Sequence, residues 1–433
     1  MNQCFLYEGF LDNFQKELQK DYFRKTALSY QTLADAYALP PKTVWQDGLR
    51  IRWGGIVDSN LQYIKDSGRF RNEEHSLVKG VMLGAYEFKK DSCPTISEEV
   101  IYCGEYMDHW GHFLLESTTR LWYAVRNKKA HQKLIFVAPK GTKIKGNFKE
   151  FFKLLGVSLK DIILITRPTK LKSVIIPQCS SVLCTYYMKE FIEPFEAIRK
   201  TVKKEKAKRI YLSRRKCKIR FIVGEDKLEK VFKKNGFTVI YPERLSLKKL
   251  ISVISDAEYI AGLSGSALHN AVFCSNKPKL IILNRSAAFN DAQALINQAM
   301  NLDAIYADAN LNYLPSDTLY LIGVTKPFKE MCQSLGFAID RIPPLTPKEV
   351  KSFFNQWLKI LPKQYKYLSQ DQFEKSAEIA YLLFGSMSSF SLLHQKMDLL
   401  KYGILSKISW GSAKKKYLTK LHHYQEKYNI IKE

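Results

Sequence analysis

The amino-acid sequence lacks long hydrophobic runs and closely paired cysteines. Its longest apolar segments, 162–165 and 280–283, are strand-sized and far below the ~18 residues of a membrane-spanning helix. The eight cysteines include no C-x-x-C pair, which argues against a zinc site or a disulfide framework and favours reduced thiols in the cytoplasm. Near the N-terminus no basic segment precedes an apolar one, so we expect no signal peptide.

Acidic residues are also scarce. The chain has 42 acidic against 68 basic residues, a formal net charge of +26. Such an excess attracts anionic partners: nucleic acid, an acidic membrane surface, or phosphorylated and acidic-sugar substrates. The 46% hydrophobic and 13% aromatic content over 433 residues is that of a globular protein. This length exceeds one usual core, so we expect two domains or more.

The spacing of apolar residues predicts an α/β protein. Short apolar runs alternate with helical patterns, which favours doubly wound, mainly parallel sheets. We expect an N-terminal extension at 1–75 with a polar helix at 13–36, Rossmann-like domains at 76–205 and 206–340, and a helical, basic C-terminal extension at 341–433. The expected strands are 76–82, 100–103, 134–138, 162–166, 174–176, 209–213, 238–241, 259–261 and 280–283, and the expected helices are 109–127, 147–156, 225–235 and 246–255.

A histidine-rich segment predicts the first candidate site. At about 100° per residue, a helix over 108–120 has one face that carries His109, His112, Glu116 and Arg120. Such a cluster can take a proton from a hydroxyl group. Two alternatives stay open: an amphipathic helix with a solvated polar face, and a metal site of the two histidines and Glu116, although the H-E-x-x-H order is absent.

Two further segments predict anion binding. Arg214, Arg215 and Arg220 follow the strand at 209–213, and open α/β sheets bind ligands at the carboxyl ends of their strands. Guanidinium groups suit phosphate oxygens. Residues 259–270 are expected to form a strand, a Gly/Ser turn and a helix, whose first N–H groups suit a phosphate. A solvated basic loop and a simple tight turn are the alternatives.

In this order the segments resemble glycosyltransferase family 61 over roughly 76–300. Three matches carry the resemblance: an N-W/Y-G-H-W/F-L-L-D/E…R-L segment, then S-R-R…R…N-E, then G-x-x-G-A/S-x-L-x-N. The corresponding residues are His109-Trp110-Gly111-His112-Phe113-Leu114-Leu115-Glu116 with Arg120-Leu121; Ser213-Arg214-Arg215, Arg220 and Glu225; and Gly262, Gly265-Ser266-Ala267-Leu268-His269-Asn270. Gly236-Phe237, Pro242-Glu243 and Leu245-Ser246-Leu247 between the last two also look like the family.

The resemblance implies a fold and a reaction. The fold is two Rossmann-like domains facing across a cleft, the GT-B arrangement, and the reaction is inverting transfer of a sugar from a nucleotide-activated donor to a glycan acceptor. The catalytic residues implied are Glu116, His112, His109 and Arg120, with Glu116 or His112 as the base. The donor- or phosphate-binding residues implied are Arg214, Arg215, Arg220, Glu225, Glu243, Ser264, Gly265, Ser266 and Asn270.

Metal chemistry is not expected. The chain has no D-x-D motif, the usual clamp for a divalent ion on a diphosphate, so cationic side chains and a helix dipole would neutralise the leaving group, without a metal or a cofactor. Three positions depart from the family pattern: His109 and Gly224 replace asparagines, and Ser264 replaces a common histidine. His109 and Ser264 are at expected site positions, so we expect a choice of substrate or donor that differs from that of better-known members.

The resemblance also implies partners and a location. Members without an anchor or a signal resemble bacterial enzymes of capsule or surface polysaccharide synthesis, so we expect a cytoplasmic protein, peripheral at the inner face of the plasma membrane, whose acceptor is glycan and can be lipid-linked. The basic region 390–433 would dock on anionic headgroups or merely brace the domains. No recognised nucleic-acid module occurs, so we expect no nucleic-acid partner. The rival functions are a catalytically degenerate sugar-nucleotide-binding scaffold and, on charge alone, a nucleic-acid-binding protein.

Overall fold

The computed structural model describes residues 2–7, 11–46, 49–78, 80–217, 221–286, 288–311 and 319–339, and separate positions between 343 and 419. The expected basic C-terminal extension lies almost entirely outside these residues, as does Arg220. No helix in the described ranges has the length and apolar character that a bilayer crossing demands.

Strands and helices alternate along most of the described chain. The strands are β1 Gln3–Phe5, β2 Tyr30–Gln46, β3 Leu49–Val57, β4 Thr95–Glu105, β5 Lys133–Val137, β6 Ile162–Ile165, β7 Thr169–Pro177, β8 Ser181–Val182, β9 Tyr186–Tyr187, β10 Arg209–Leu212, β11 Phe221–Val223, β12 Thr238–Ile240, β13 Tyr259–Leu263, β14 Lys279–Asn284, β15 Ala304–Asp308 and β16 Leu319–Leu321. The α-helices are α1 Leu11–Leu18, α2 Trp110–His112, α3 Leu121–Asn127, α4 Gly146–Leu154, α5 Glu193–Lys200, α6 Glu225–Lys234, α7 Leu247–Ile254, α8 Asp291–Ala299 and α9 Lys326–Ser334.

The second half of the chain forms a parallel, six-stranded sheet in the order β1-β15-β14-β13-β10-β12. Its strands β10, β12, β13 and β14 coincide with the expected ones to within about two residues. The helices α6 and α7 are confirmed, and Ser246 caps α7 by accepting a hydrogen bond from the Lys249 N–H. Because β10 lies between β12 and β13, the strand order reverses there, and the crevice at the carboxyl ends of β10 and β13 is a topological switch point.

The first half forms a mixed six-stranded sheet in the order β3-β2-β7-β4-β5-β6. Strands β4, β5, β6 and β7 run parallel, as expected, whereas β2 pairs antiparallel with both β3 and β7. The helices of the two halves share an apolar core, in which Phe151 and Phe195 stack edge-on against Phe273. The protein is therefore a mixed α/β protein whose two sheets are joined by a common hydrophobic layer.

Two expected elements at the N-terminal side are wrong. The helix expected at 13–36 is limited to α1, and residues 30–36 belong to β2. Pro40 and Pro41, which were expected to end that helix, instead lie in a register shift between Leu39 and Lys42, a position where a strand tolerates proline. The strand expected at 76–82 is a loop with single bridges from Met82 to Arg52 and Arg69. Strand β1 pairs with β15 of the second sheet, far along the chain.

Candidate active site

The histidine-rich segment is a broken helix. The short helix α2 runs into a π-helical turn at Phe113–Ser117, and α3 begins at Leu121. A π-turn inside a helix is frequent at functional sites. His112 and Glu116 keep the expected common face, since the two side chains are hydrogen-bonded to each other.

Arg120 does not share that face, so the expectation of a single helical face is wrong for this residue. Its Nε donates to the Pro177 carbonyl at 3.0 Å, and its Nη2 donates to the carbonyls of Asp66 at 2.6 Å and Gly68 at 2.7 Å. A Cβ on Gly104, which has φ +91°, would lie 2.7 Å from Arg120 Nη1. Arg120 is fully enclosed within the first half, where it ties loops together.

Glu116 is a buried carboxylate held by cations. Its Oε2 lies 2.5 Å from His112 Nδ1 and accepts from Arg71 Nη2 at 3.1 Å, and its Oε1 accepts from Arg69 Nη1 at 3.1 Å. Burial alone would raise the pKa of Glu116, but the His112 hydrogen bond and the charges of Arg69 and Arg71 outweigh it and lower the pKa to about 2. Glu116 is therefore ionised at neutral pH and is a poor proton acceptor.

This ionised carboxylate fixes the orientation of His112. Because Glu116 can only accept, His112 Nδ1 carries the proton of their shared hydrogen bond. A neutral imidazole then has its lone pair on Nε2, and the ring lines a cavity between the two halves. His112 is thus oriented as a base, and Glu116 is the group that orients it.

The arginines around Glu116 extend a ladder of alternating charges. Arg69 Nε donates to Glu105 at 2.9 Å, and Arg52 pairs with the other oxygen of Glu105. Both carboxylates are almost fully buried, so each needs its guanidinium partners. Sequence reasoning missed Arg69 and Arg71. Their i, i+2 spacing, which puts two side chains on the same side of an extended segment, was the available signal.

The opposite wall comes from the second sheet, at its switch point. Arg214 follows β10, the Ser264–Ser266 turn follows β13, and Arg285 follows β14. Arg214 Nη1 donates to Ser266 Oγ at 3.2 Å, and its Nε has no hydrogen-bond partner among the described residues. A Cβ on Gly265, at φ +138°, would lie 3.1 Å from the Arg285 guanidinium. Arg285 is a third residue that sequence reasoning missed, and its place just after a strand end was the available signal.

The two walls enclose a cavity of about 350 Å³. The halves meet closely at Gly111, where a Cβ would lie 3.0 Å from Ser266 Cβ and 3.2 Å from His269 Cδ2. Trp110 Nε1 also donates to Asn270 Oδ1 at 3.0 Å across this junction. The polar side chains that line the cavity are His109, His112, Cys184, Arg214, Ser264, Ser266, His269, Arg285, Ser286, Asn290, Asp291 and Tyr320.

The remaining expected residues support this wall rather than line it. Glu225 is buried and accepts from the Arg214 N–H at 3.0 Å; burial raises its pKa to about 7 against the effect of that bond. Arg215 pairs with Glu229 at 3.1 Å, and Glu243 is exposed on a 3-10 turn outside the cavity lining. The helix expected after the glycine turn is present as a 3-10 helix, Leu268–Phe273.

The metal alternative gains no support from the geometry. His109 lies beside His112, with ring centroids 4.9 Å apart, but Glu116 is turned towards Arg69 and Arg71. Within the described ranges, no group of three or more His, Cys, Asp or Glu side chains is placed to hold a metal ion.

A base on one wall and guanidinium groups on the other are what a group-transfer enzyme with an anionic leaving group requires. Residues 110–305, just under half of the chain, match the family model Glycosyltransferase 61. The protein is a glycosyltransferase, and its matched region is a glycosyltransferase 61 domain. The match begins within the His112 segment and ends after Arg285, so it includes both walls, whereas Arg69 and Arg71 lie outside it. No curated protein matches the chain significantly.

Proposed function

We propose that the protein is an inverting, metal-independent glycosyltransferase of GT-B arrangement that moves a sugar from a nucleotide-activated donor to a glycan acceptor. The observation that carries this proposal is the cavity in which His112, hydrogen-bonded to Glu116, faces Arg214, Ser266 and Arg285. The two kinds of group belong to different sheets, so one sheet can hold the donor while the other presents the acceptor.

The reaction is a single displacement. The acceptor hydroxyl loses its proton to His112 Nε2 while its oxygen forms a bond to the anomeric carbon. The bond from that carbon to the diphosphate breaks, and the electron pair leaves with the nucleoside diphosphate. Arg214 and Arg285 stabilise the new negative charge, in the way that fixed cations in a desolvated site lower the barrier. The Arg214 Nε that is unpaired among the described residues supports this role, since a phosphate oxygen would satisfy it.

A panel of nucleotide sugars tests the proposal. A ligand present at about 100 times its Kd stabilises the protein by about 2.7 kcal/mol, which a thermal-shift measurement detects. The donor found in this way is then supplied with glycan acceptors, and NMR reads the anomeric configuration of the product. We expect inversion, and we expect turnover to persist with a chelator. Retention of configuration, or loss of turnover with a chelator that added divalent ion reverses, would contradict the proposal.

We further propose that the acceptor is a lipid-linked glycan of capsule or surface polysaccharide synthesis, and that the enzyme works at the cytoplasmic membrane face. The net charge of +26 supports attraction to anionic headgroups. Liposome sedimentation with and without residues 411–433 tests this part. Equal binding by both chains to anionic vesicles would contradict docking through the C-terminal region.

A further inference from the structure

His269 is a cavity residue to which the proposed reaction gives no role. It is 6% exposed, and its ring lies between the two walls. Its Nδ1 edge is turned into the second half towards α8, where it lies 2.9 Å from Gln293 Oε1. The opposite edge, with Cδ2 and Nε2, faces Gly111 and the cavity.

A buried relay sets which nitrogen of His269 carries the proton. Gln293 Nε2 donates to Asn297 Oδ1 at 2.9 Å, and Asn297 Nδ2 donates to the Tyr306 hydroxyl at 3.1 Å. Because the amide nitrogen of Gln293 donates to Asn297, it is the amide oxygen of Gln293 that accepts a hydrogen bond from His269 Nδ1. A neutral His269 then has its lone pair on Nε2.

The surroundings keep His269 neutral. Burial lowers its pKa to about 4, and the charges of Arg285 and Arg214 act in the same direction against the Gln293 hydrogen bond. His269 thus offers a hydrogen-bond acceptor near the cations Arg214 and Arg285 of the same cavity. A phosphate oxygen would be repelled by this lone pair, whereas a hydroxyl group can donate to it.

We propose that His269 is a specificity residue, whose Nε2 accepts a hydrogen bond from a substrate hydroxyl next to the diphosphate. This inference rests on the proposed function, since the diphosphate site is the one assigned to Arg214 and Arg285. The hydroxyl belongs either to the transferred sugar or to the ribose of the donor. A ligand that lacks it leaves a buried acceptor unpaired, which is the strongest form of discrimination available to a site of this kind.

Three ligands separate the hydroxyl contact from the phosphate contact. Inorganic pyrophosphate has no hydroxyl, the best-bound nucleoside diphosphate adds the ribose, and its sugar nucleotide adds the sugar. We expect His269→Leu to bind pyrophosphate within twofold of the wild type and to bind the sugar nucleotide roughly 10-fold more weakly. His269→Gln, which keeps an oxygen acceptor, should recover most of the loss. If His269→Leu already binds the nucleoside diphosphate more weakly, the hydroxyl belongs to the ribose. If only binding of the sugar nucleotide is weaker, the hydroxyl belongs to the transferred sugar.

A ligand-side measurement covers the case in which His269→Leu does not fold. Deoxy analogues of the nucleotide and of its sugar are titrated against the wild-type protein, and one of them should bind roughly 10-fold more weakly than its parent. Where His269→Leu folds, the same deletion should have little further effect on its binding, as two changes to one interaction do.

The outcomes are distinguishable. If wild-type protein binds neither pyrophosphate nor any nucleotide, the proposed function and this inference both fail. If the wild type binds these ligands normally but His269→Leu is unaffected, or loses pyrophosphate and sugar nucleotide equally, only the assignment of His269 is overturned. Equal binding of every deoxy analogue and its parent by the wild type overturns it in the same way.

Discussion

Replacing Glu116 by glutamine removes the orientation of the base while keeping the shape of the side chain. The amide nitrogen of glutamine can donate to His112 Nδ1, which then accepts and leaves the proton on Nε2, the nitrogen that must receive one. General-base catalysis is worth about 10²–10⁴-fold, so we expect kcat to fall by a factor in that range. Donor binding should be nearly unchanged, because Glu116 faces the arginines rather than the cavity.

Glu116→Gln should also lower the free energy of unfolding, and the pKa shift of Glu116 gives the magnitude. The pKa of Glu116 falls from 4.5 to about 2, which corresponds to about 3 kcal/mol favouring the ionised form in the folded protein. The side chain is only 3% exposed, so solvent screens this little. We expect denaturant unfolding at pH 7 to show a loss of that order, with the variant still folded. Glu258→Gln, an exposed change far along the chain, is the matched control. A Glu116→Gln enzyme with kcat within threefold of the wild type would refute the assignment of His112 as an oriented base.

Four further outcomes follow from the same geometry. Arg71→Met removes one of the two guanidinium groups that contact Glu116, so kcat should fall by about 10-fold with little change in donor KM. Arg71→Lys should restore part of the lost kcat. An unchanged kcat would argue against a role of these arginines in holding Glu116. Arg285→Gln should weaken pyrophosphate binding by about 10-fold or more, read by calorimetry, since a charge-assisted hydrogen bond is worth about 1.5–3 kcal/mol. Gly111→Ala places a Cβ against Ser266 and His269, so the free energy of unfolding should fall by about 1–3 kcal/mol and activity should fall with it. Full activity would mean that the two halves can move apart at this position without harm. Because folding lowers the pKa of Glu116, its contribution to stability is complete above pH 4.5 and is lost as the pH falls towards 2. Measured by urea unfolding over this window, Glu116→Gln should therefore lose less stability than the wild type.

Local sequence patterns predicted the second sheet well, and the reason is physical. Strands β10, β13 and β14 are almost fully buried parallel strands, which leave short apolar runs separated by helices with recognisable caps and glycine ends. Ser246 and Gly236 are such signals, and both lie where the chain pattern puts them. The β2 segment gave no such signal. Its polar and alanine-rich composition favours a helix locally, and only its pairing with β3 and β7 makes it a strand.

The site was predictable only in part for a related reason. The segments around His112, Arg214 and Ser266 carry dense local patterns, so their chemistry could be inferred from spacing. Arg69 and Arg71 act through a contact 45 or more positions along the chain, and no window of sequence contains both partners. Arg120 shows the reverse error. It has the spacing of a site residue, but the break after Ser117 turns it towards backbone carbonyls.

The residues of the family motifs fall into two groups, those that line the cavity and those that join the two halves. Trp110 and Asn270 join the two halves through one hydrogen bond, and Gly111 lets the chains approach, whereas His112 and Ser266 face the cavity. A loss of activity therefore does not identify a catalytic residue among them, because moving one wall by a fraction of an ångström also displaces the base from the donor. Binding separates the two groups. A change at His112 should leave pyrophosphate affinity intact, while a change at Asn270 shifts the Ser266 turn, to whose carbonyls its amide donates, and should weaken pyrophosphate binding and turnover together.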